Sequence, residues 1–102
     1  MARRSAKTAS GPGVAAVDRA IAVLAALEAT AKPMTLADLA RATGLYKSTI
    51  LRLLVSLERG KLVVRRPGQR YALDLFAWRL GRAFDATYDV KATLLPVLQW
   101  LI

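Results

Sequence analysis

The sequence predicts a mainly α-helical fold with a small β-hairpin. Three observations carry that expectation. Apolar residues recur at three- and four-residue steps through successive segments, as the buried face of a helix requires. Two of those segments are joined by a short turn that contains Gly44. Behind them stand two short runs with β-branched and aromatic residues, on either side of Pro67-Gly68. A chain of 102 residues holds one small domain and an accessory element, and an apolar content of 55% supports a folded core.

Residues 1–13 are basic and small, with Arg3, Arg4, Lys7, Gly11, Pro12 and Gly13, and compose a flexible basic arm. From Val14 the pattern turns helical. Val17, Ala20, Ile21, Leu24 and Leu27 share one helix face, and Asp18 suits the positive end of the helix dipole. Lys32-Pro33 breaks this helix, because a residue before proline is pushed out of the α region. A second helix opens at Thr35, which with Asp38 approximates a capping box, and it carries Leu36, Leu39 and Ala40 as its apolar stripe. Gly44 stands where a left-handed residue ends a helix.

The third helix runs from about Tyr46 to Arg59, buries Ile50, Leu53, Leu54 and Leu57, and stops at Gly60. Residues 62–65 and 71–73 read as the strands of a hairpin around a turn over 66–70, with Tyr71 divided between core and surface. Beyond Asp74, Leu75, Phe76, Trp78, Leu80 and Phe84 mark another helix, and an apolar segment over 90–102 closes the chain. The organisation is a winged helix-turn-helix over residues 14–74 followed by a linker helix.

Charge narrows the function classes. Sixteen Lys and Arg against seven Asp and Glu give a formal charge of +9, which attracts a polyanion: nucleic acid or an anionic membrane surface. The absence of Cys and His excludes a disulfide scaffold, a Cys/His zinc site, a cysteine nucleophile and histidine acid–base chemistry. No nucleophile–base pair or phosphate loop is visible, so neither an enzyme nor a cofactor is expected. The N-terminus lacks the apolar stretch of about 7–15 residues that a secretory signal needs. The longest apolar run, from Leu94 to Ile102, is far below the ~20 residues that span a bilayer. A soluble, cytoplasmic protein is the expectation.

The third helix concentrates the chemistry. Opposite its buried stripe lie Lys47, Ser48, Thr49, Arg52 and Ser56, all able to donate hydrogen bonds to phosphates or base edges. Arginine is the commonest reader of guanine, through paired bonds to O6 and N7. Ser48 and Thr49, near the helix N-terminus, suit a phosphate. An ordinary solvated helix mixes signs to gain i,i+4 pairs. Here, across residues 41–70, eight basic residues stand against Glu58 alone. The hairpin adds Arg65, Arg66 and Arg70 around a stiff Pro-Gly turn, which suits phosphates or a minor groove and would also keep an exposed hairpin soluble.

These residues resemble the N-terminal domain of the IclR family of bacterial transcription regulators. The likeness rests on Val17-Asp18-Arg19-Ala20, on the run from Leu36 to Leu45, and on Lys47-Ser48-Thr49, Arg52-Leu53-Leu54, Leu57-Glu58 and Tyr71-Ala72-Leu73. Each piece is weak alone; their order and spacing are specific. The resemblance implies a winged helix-turn-helix that binds a palindromic operator in double-stranded DNA as a homodimer or dimer of dimers. It places Lys47, Ser48, Thr49 and Arg52 in the recognition helix. Tyr46 departs from the family's frequent proline, and Leu51 from a common polar or aromatic residue, leaving Leu51 open to a thymine methyl or a dimer surface.

The resemblance also implies that residues 75–102 are a linker helix and the start of a C-terminal domain that is missing or truncated. A small-molecule effector is expected only with such a domain. Two other classes compete with a sequence-specific regulator. One is an interaction or dimerisation module using the apolar residues of 78–102. The other is a non-specific binder of nucleic acid or membrane surface, acting by charge.

Overall fold

Alanine, the best helix former, fills the first helix, α1 (Ala15–Thr30), with Asp18 in its first turn as the dipole favours. In this computed structural model residues 11–87 are described. The arm expected over 1–13 falls outside them except for its last residues, and the apolar segment expected over 90–102 falls outside altogether. Helix α1 ends at Ala31, whose left-handed backbone (φ 53°) sends its N–H to the Leu27 carbonyl at 3.0 Å.

The face that packs on the core coincides only in part with the one marked by Val17, Ala20, Ile21, Leu24 and Leu27. Val23 and Leu27 are buried, with Ala20 and Leu24 partly covered, whereas Val17 and Ile21 are 53% and 57% exposed. The helix carries apolar side chains on nearly every side, so periodicity alone cannot orient it. The side on which the next helices approach decides.

Strand β1 (Met34–Thr35) follows, and Thr35 then caps α2 (Leu36–Thr43). The expected capping box is complete: Asp38 N–H donates to Thr35 Oγ1 at 3.1 Å, and Thr35 N–H donates to Asp38 Oδ2 at 3.0 Å. Hydrogen bonding of the carboxyl by Thr35, its backbone N–H foremost and its hydroxyl next, holds the Asp38 pKa below the ordinary value, and the charges of Arg41 and Arg70 add to the effect. Helix α2 ends as expected at Gly44, in the left-handed region at φ 75°.

Helix α3 (Lys47–Arg59) buries Ile50, Leu54 and Leu57 and half-buries Leu53, the stripe that its spacing predicts. It stops at Gly60, and Lys61 follows at φ 63°. Strands β2 (Val63–Arg66) and β3 (Arg70–Leu73) form the hairpin, with a loop of Pro67, Gly68 and Gln69 only. The antiparallel sheet has the order β1-β3-β2, so β3 is central. Strand β1 was not foreseen, because two residues display no alternation. Its pairing of Met34 with Tyr71 corrects the expectation for Tyr71, which is 5% exposed and belongs to the core. A central strand covered from both edges leaves its inward side chain no route to solvent.

The core therefore joins Leu27 of α1, Leu39 of α2, Ile50 and Leu54 of α3, and Val63 and Tyr71 of the sheet. Helix α4 (Leu75–Thr87) starts from a fixed base, since Asp74 and Phe76 N–H donate to the Leu62 and Lys61 carbonyls at 3.0 and 2.9 Å. Its Leu75, Trp78, Leu80 and Phe84 are exposed. No helix among the described residues is long and apolar enough to cross a membrane.

One buried polar side chain ties the end of α2 to the turn that precedes α3. Thr43 Oγ1 donates to the Leu39 carbonyl at 2.7 Å and accepts the Leu45 N–H at 3.2 Å. Thr43→Val keeps the shape and strands that N–H in the core; a loss of about 1–3 kcal/mol is expected in denaturant unfolding. The capping box gives a pH signature. Because the folded pKa of Asp38 is depressed, its ionised form contributes stability above the unfolded value near 3.8, and that contribution is lost as pH falls through the lower folded value. Thermal melts of Asp38→Asn should therefore lie below wild type at neutral pH and converge with it in stronger acid.

Candidate nucleic-acid interface

Helical geometry decides what α3 presents. At ~100° per residue, the direction opposite Ile50, Leu54 and Leu57 is occupied by Ser48, Arg52, Val55 and Arg59. Lys47 and Leu51 lie on one flank of this face, Thr49 and Ser56 on the other. Of the residues singled out from sequence, Lys47, Ser48, Arg52 and Ser56 are exposed, and Thr49 is half-buried at the edge of the core. Val55 and Arg59 were missed. A helical wheel centred on the buried residues would have found both.

The N-terminus of α3 is open chemically. Tyr46 occupies the cap position in extended conformation, no side chain caps the helix, and its first turn contains no acid. The first backbone bond of the helix is Ile50 N–H to the Tyr46 carbonyl at 3.0 Å. The N–H groups of Lys47, Ser48 and Thr49 precede it, at the positive end of the helix dipole. This end suits an anion.

Sheet register separates the three wing arginines. Arg65 stands opposite Tyr71, so it shares the core-side face of the hairpin with buried Val63 and Tyr71. Its guanidinium lies 5.4 Å from the centre of the Tyr71 ring, and its Nε is 3.7 Å from Glu58 Oε1 on α3. Arg65 thus bridges wing and helix. Arg66 and Arg70 face each other directly across the other side of the hairpin, both exposed. Gly68 (φ 79°) and Gln69 (φ 54°) make the tight loop that holds this pair at the tip.

Between the wing and the helices runs an open groove of about 630 Å³, with Leu51 and Tyr71 among its lining, Thr35 and Ala37 on the α2 side, and Arg65 and Gln69 on the wing side. Of the residues singled out from sequence, the groove is lined by Leu51 of α3 and Arg65 of the wing; Lys47, Ser48, Thr49, Arg52, Ser56, Arg66 and Arg70 are not part of its lining. Among the described residues no cluster of acidic side chains is suited to a metal ion.

A helix-turn-helix followed by a hairpin wing, with its outward helix face free of acids, defines the winged helix-turn-helix class of DNA-binding domains. Residues 16–67, just over half of the chain, match the IclR helix-turn-helix domain, and the chain belongs to that family. The solved IclR family transcriptional regulator from Brucella abortus is 29% identical with a TM-score of 0.69, over 87% of this chain and 34% of that one. An IclR transcriptional regulator from Alicyclobacillus acidocaldarius is 33% identical with a TM-score of 0.71, over 83% and 35%. This chain therefore spans about a third of the length of either regulator. No curated protein sequence matches it significantly.

The Arg66–Arg70 pair carries a stability cost, because like charges directly opposite on adjacent strands repel. Arg66→Thr should therefore raise the thermal midpoint, by a gain of up to about 1 kcal/mol, and at the same time weaken binding to duplex DNA in a fluorescence titration.

Proposed function

We propose that the domain over residues 14–74 binds a palindromic operator sequence-specifically, with α3 in the major groove and the wing beside it, and that residues 75–102 link it to a partner or a further domain. The carrying observation is the face of Ser48, Arg52, Val55 and Arg59, which has no acid among it and is flanked by Lys47 and Ser56. In this reading Arg52 reads a base edge, and Lys47, Ser48, Thr49 and Ser56 position the duplex through phosphates and groove edges. Arg66 and Arg70 contact the backbone or the minor groove from the wing. Arg65 takes part at the groove wall, its angle set by Glu58 and Tyr71.

The exposed Leu75, Trp78, Leu80 and Phe84 of α4, spread over two sides of the helix, support association as a homodimer or dimer of dimers, since large exposed apolar side chains favour burial. A two-fold dimer reads two half-sites about one helical turn of DNA, or a multiple of it, apart. A response to a small-molecule effector would require a further domain, which the longer relatives have the length to hold.

Selection from a random duplex pool at near-physiological salt, with non-specific competitor, tests this reading: a two-fold symmetric motif should be enriched. Arg52→Ala should then lower affinity for that motif by about 1–3 kcal/mol and relax one base position per half-site. Loss of Arg66 or Arg70 should weaken all sequences alike and reduce the slope of log affinity against log salt by about 0.9 for each phosphate contact removed. Uniform affinity for unrelated duplexes, fading smoothly with salt, would instead identify a charge-driven binder.

A further inference from the structure

We infer that Leu51 and Val55 read thymine methyl groups in the major groove, beside the base contacted by Arg52; the inference rests on the docking of α3 proposed above. Leu51 is 44% exposed and Val55 52%, though both belong to a helix whose opposite side fills the core. Neither side chain supports the fold. They are four residues apart, so they stack as one ridge about 6 Å long on the outward side of α3.

The surroundings of this ridge select its occupant. Lys47, Ser48, Arg52 and Arg59 flank it, and the one carboxylate of the helix, Glu58, stands a turn beyond Val55 with its Oε1 3.7 Å from Arg65 Nε of the wing. A protein partner held by apolar contact needs a broad patch with few charges at its centre. Two small apolar side chains inside a cationic face match a polyanion that displays isolated apolar spots. Duplex DNA is such a surface: in the major groove the C5 methyl of thymine is the one apolar group that a base pair displays, next to hydrogen-bonding edges. Base pairs stack about 3.4 Å apart, so a ridge of this length meets methyl groups on neighbouring base pairs. Leu51 also lines the groove beside the wing, on the side away from Ser56, which places the methyls on the wing side of the base read by Arg52.

The test replaces thymine by uracil, one position at a time, in the operator obtained by selection. The change removes the methyl and leaves every hydrogen-bonding group in place. Uracil at one or two positions per half-site should weaken wild-type binding three- to fivefold, which is the ~0.8 kcal/mol that burial of one methyl-sized group contributes. Leu51→Ala and Val55→Ala should bind the thymine operator more weakly and each lose the penalty at its own position. Arg52→Ala should keep both penalties while losing its own base. Both alanine variants are surface changes, and their thermal midpoints should match wild type. Uracil tolerated at every position while Arg52→Ala still loses affinity would overturn methyl reading and leave the docking intact. Failure to select any operator, or an Arg52→Ala variant with undiminished affinity, would overturn the docking and this inference with it.

Discussion

The Thr43 hydroxyl, sealed between two helices, donates to the Leu39 carbonyl and accepts the Leu45 N–H. The basic face of α3 depends on this contact for its orientation. It lets α2 end without leaving polar groups stranded in the core, and it pins the next residue but one, Leu45, into that core. Gly44 between them takes the left-handed conformation that a side chain would resist, so the chain leaves α2 and enters α3 within three residues. Tyr46 then starts α3 with Ile50, Leu54 and Leu57 already directed inward. Once those three are buried, Ser48, Arg52, Val55 and Arg59 have no other direction than outward. A buried, fully satisfied polar group permits one arrangement where apolar packing alone tolerates several.

Two acids steady this cationic surface without neutralising it. Asp38 completes the cap of α2 and pairs with Arg41 in the same helix, while Thr35, which it caps, is held to Arg70 of the hairpin by strand pairing. Glu58 lies within reach of Arg65 and ties the end of α3 to the same hairpin. Both sit at joints of the frame. The outward surfaces keep features that a stability argument would remove: two arginines face to face on the wing, and leucine and valine exposed on a helix. Those are local inconsistencies of the kind that binding surfaces carry.

Much of the frame was legible in the sequence because it rests on local chemistry. The capping box of Thr35 and Asp38, the left-handed Gly44, the buried stripe of α3 and the Pro-Gly hairpin each involve residues within a few positions of one another. What escaped involves distant residues. Strand β1 exists only because Met34 and Thr35 meet Tyr71 and Arg70 across the chain, and the same meeting buries Tyr71. Each strand runs one residue further toward the turn than expected, and the pairing of Arg65 with Tyr71 sets Arg65 on the inner face and Arg66 on the outer. Run length and charge could not tell the two apart.

The sequence by itself determined where helices begin and end, that a turn separates two of them, and that one stretch is basic with a single acid, because caps, turns and charge are short-range properties of the chain. Tertiary structure decided which side of α1 meets the core, which arginine braces the wing and which two present themselves. The physical reason is the same in each case. A helix with apolar side chains all round, or a strand with arginines at successive positions, fits more than one orientation locally, and only the excluded volume and hydrogen bonds of the neighbouring elements choose among them.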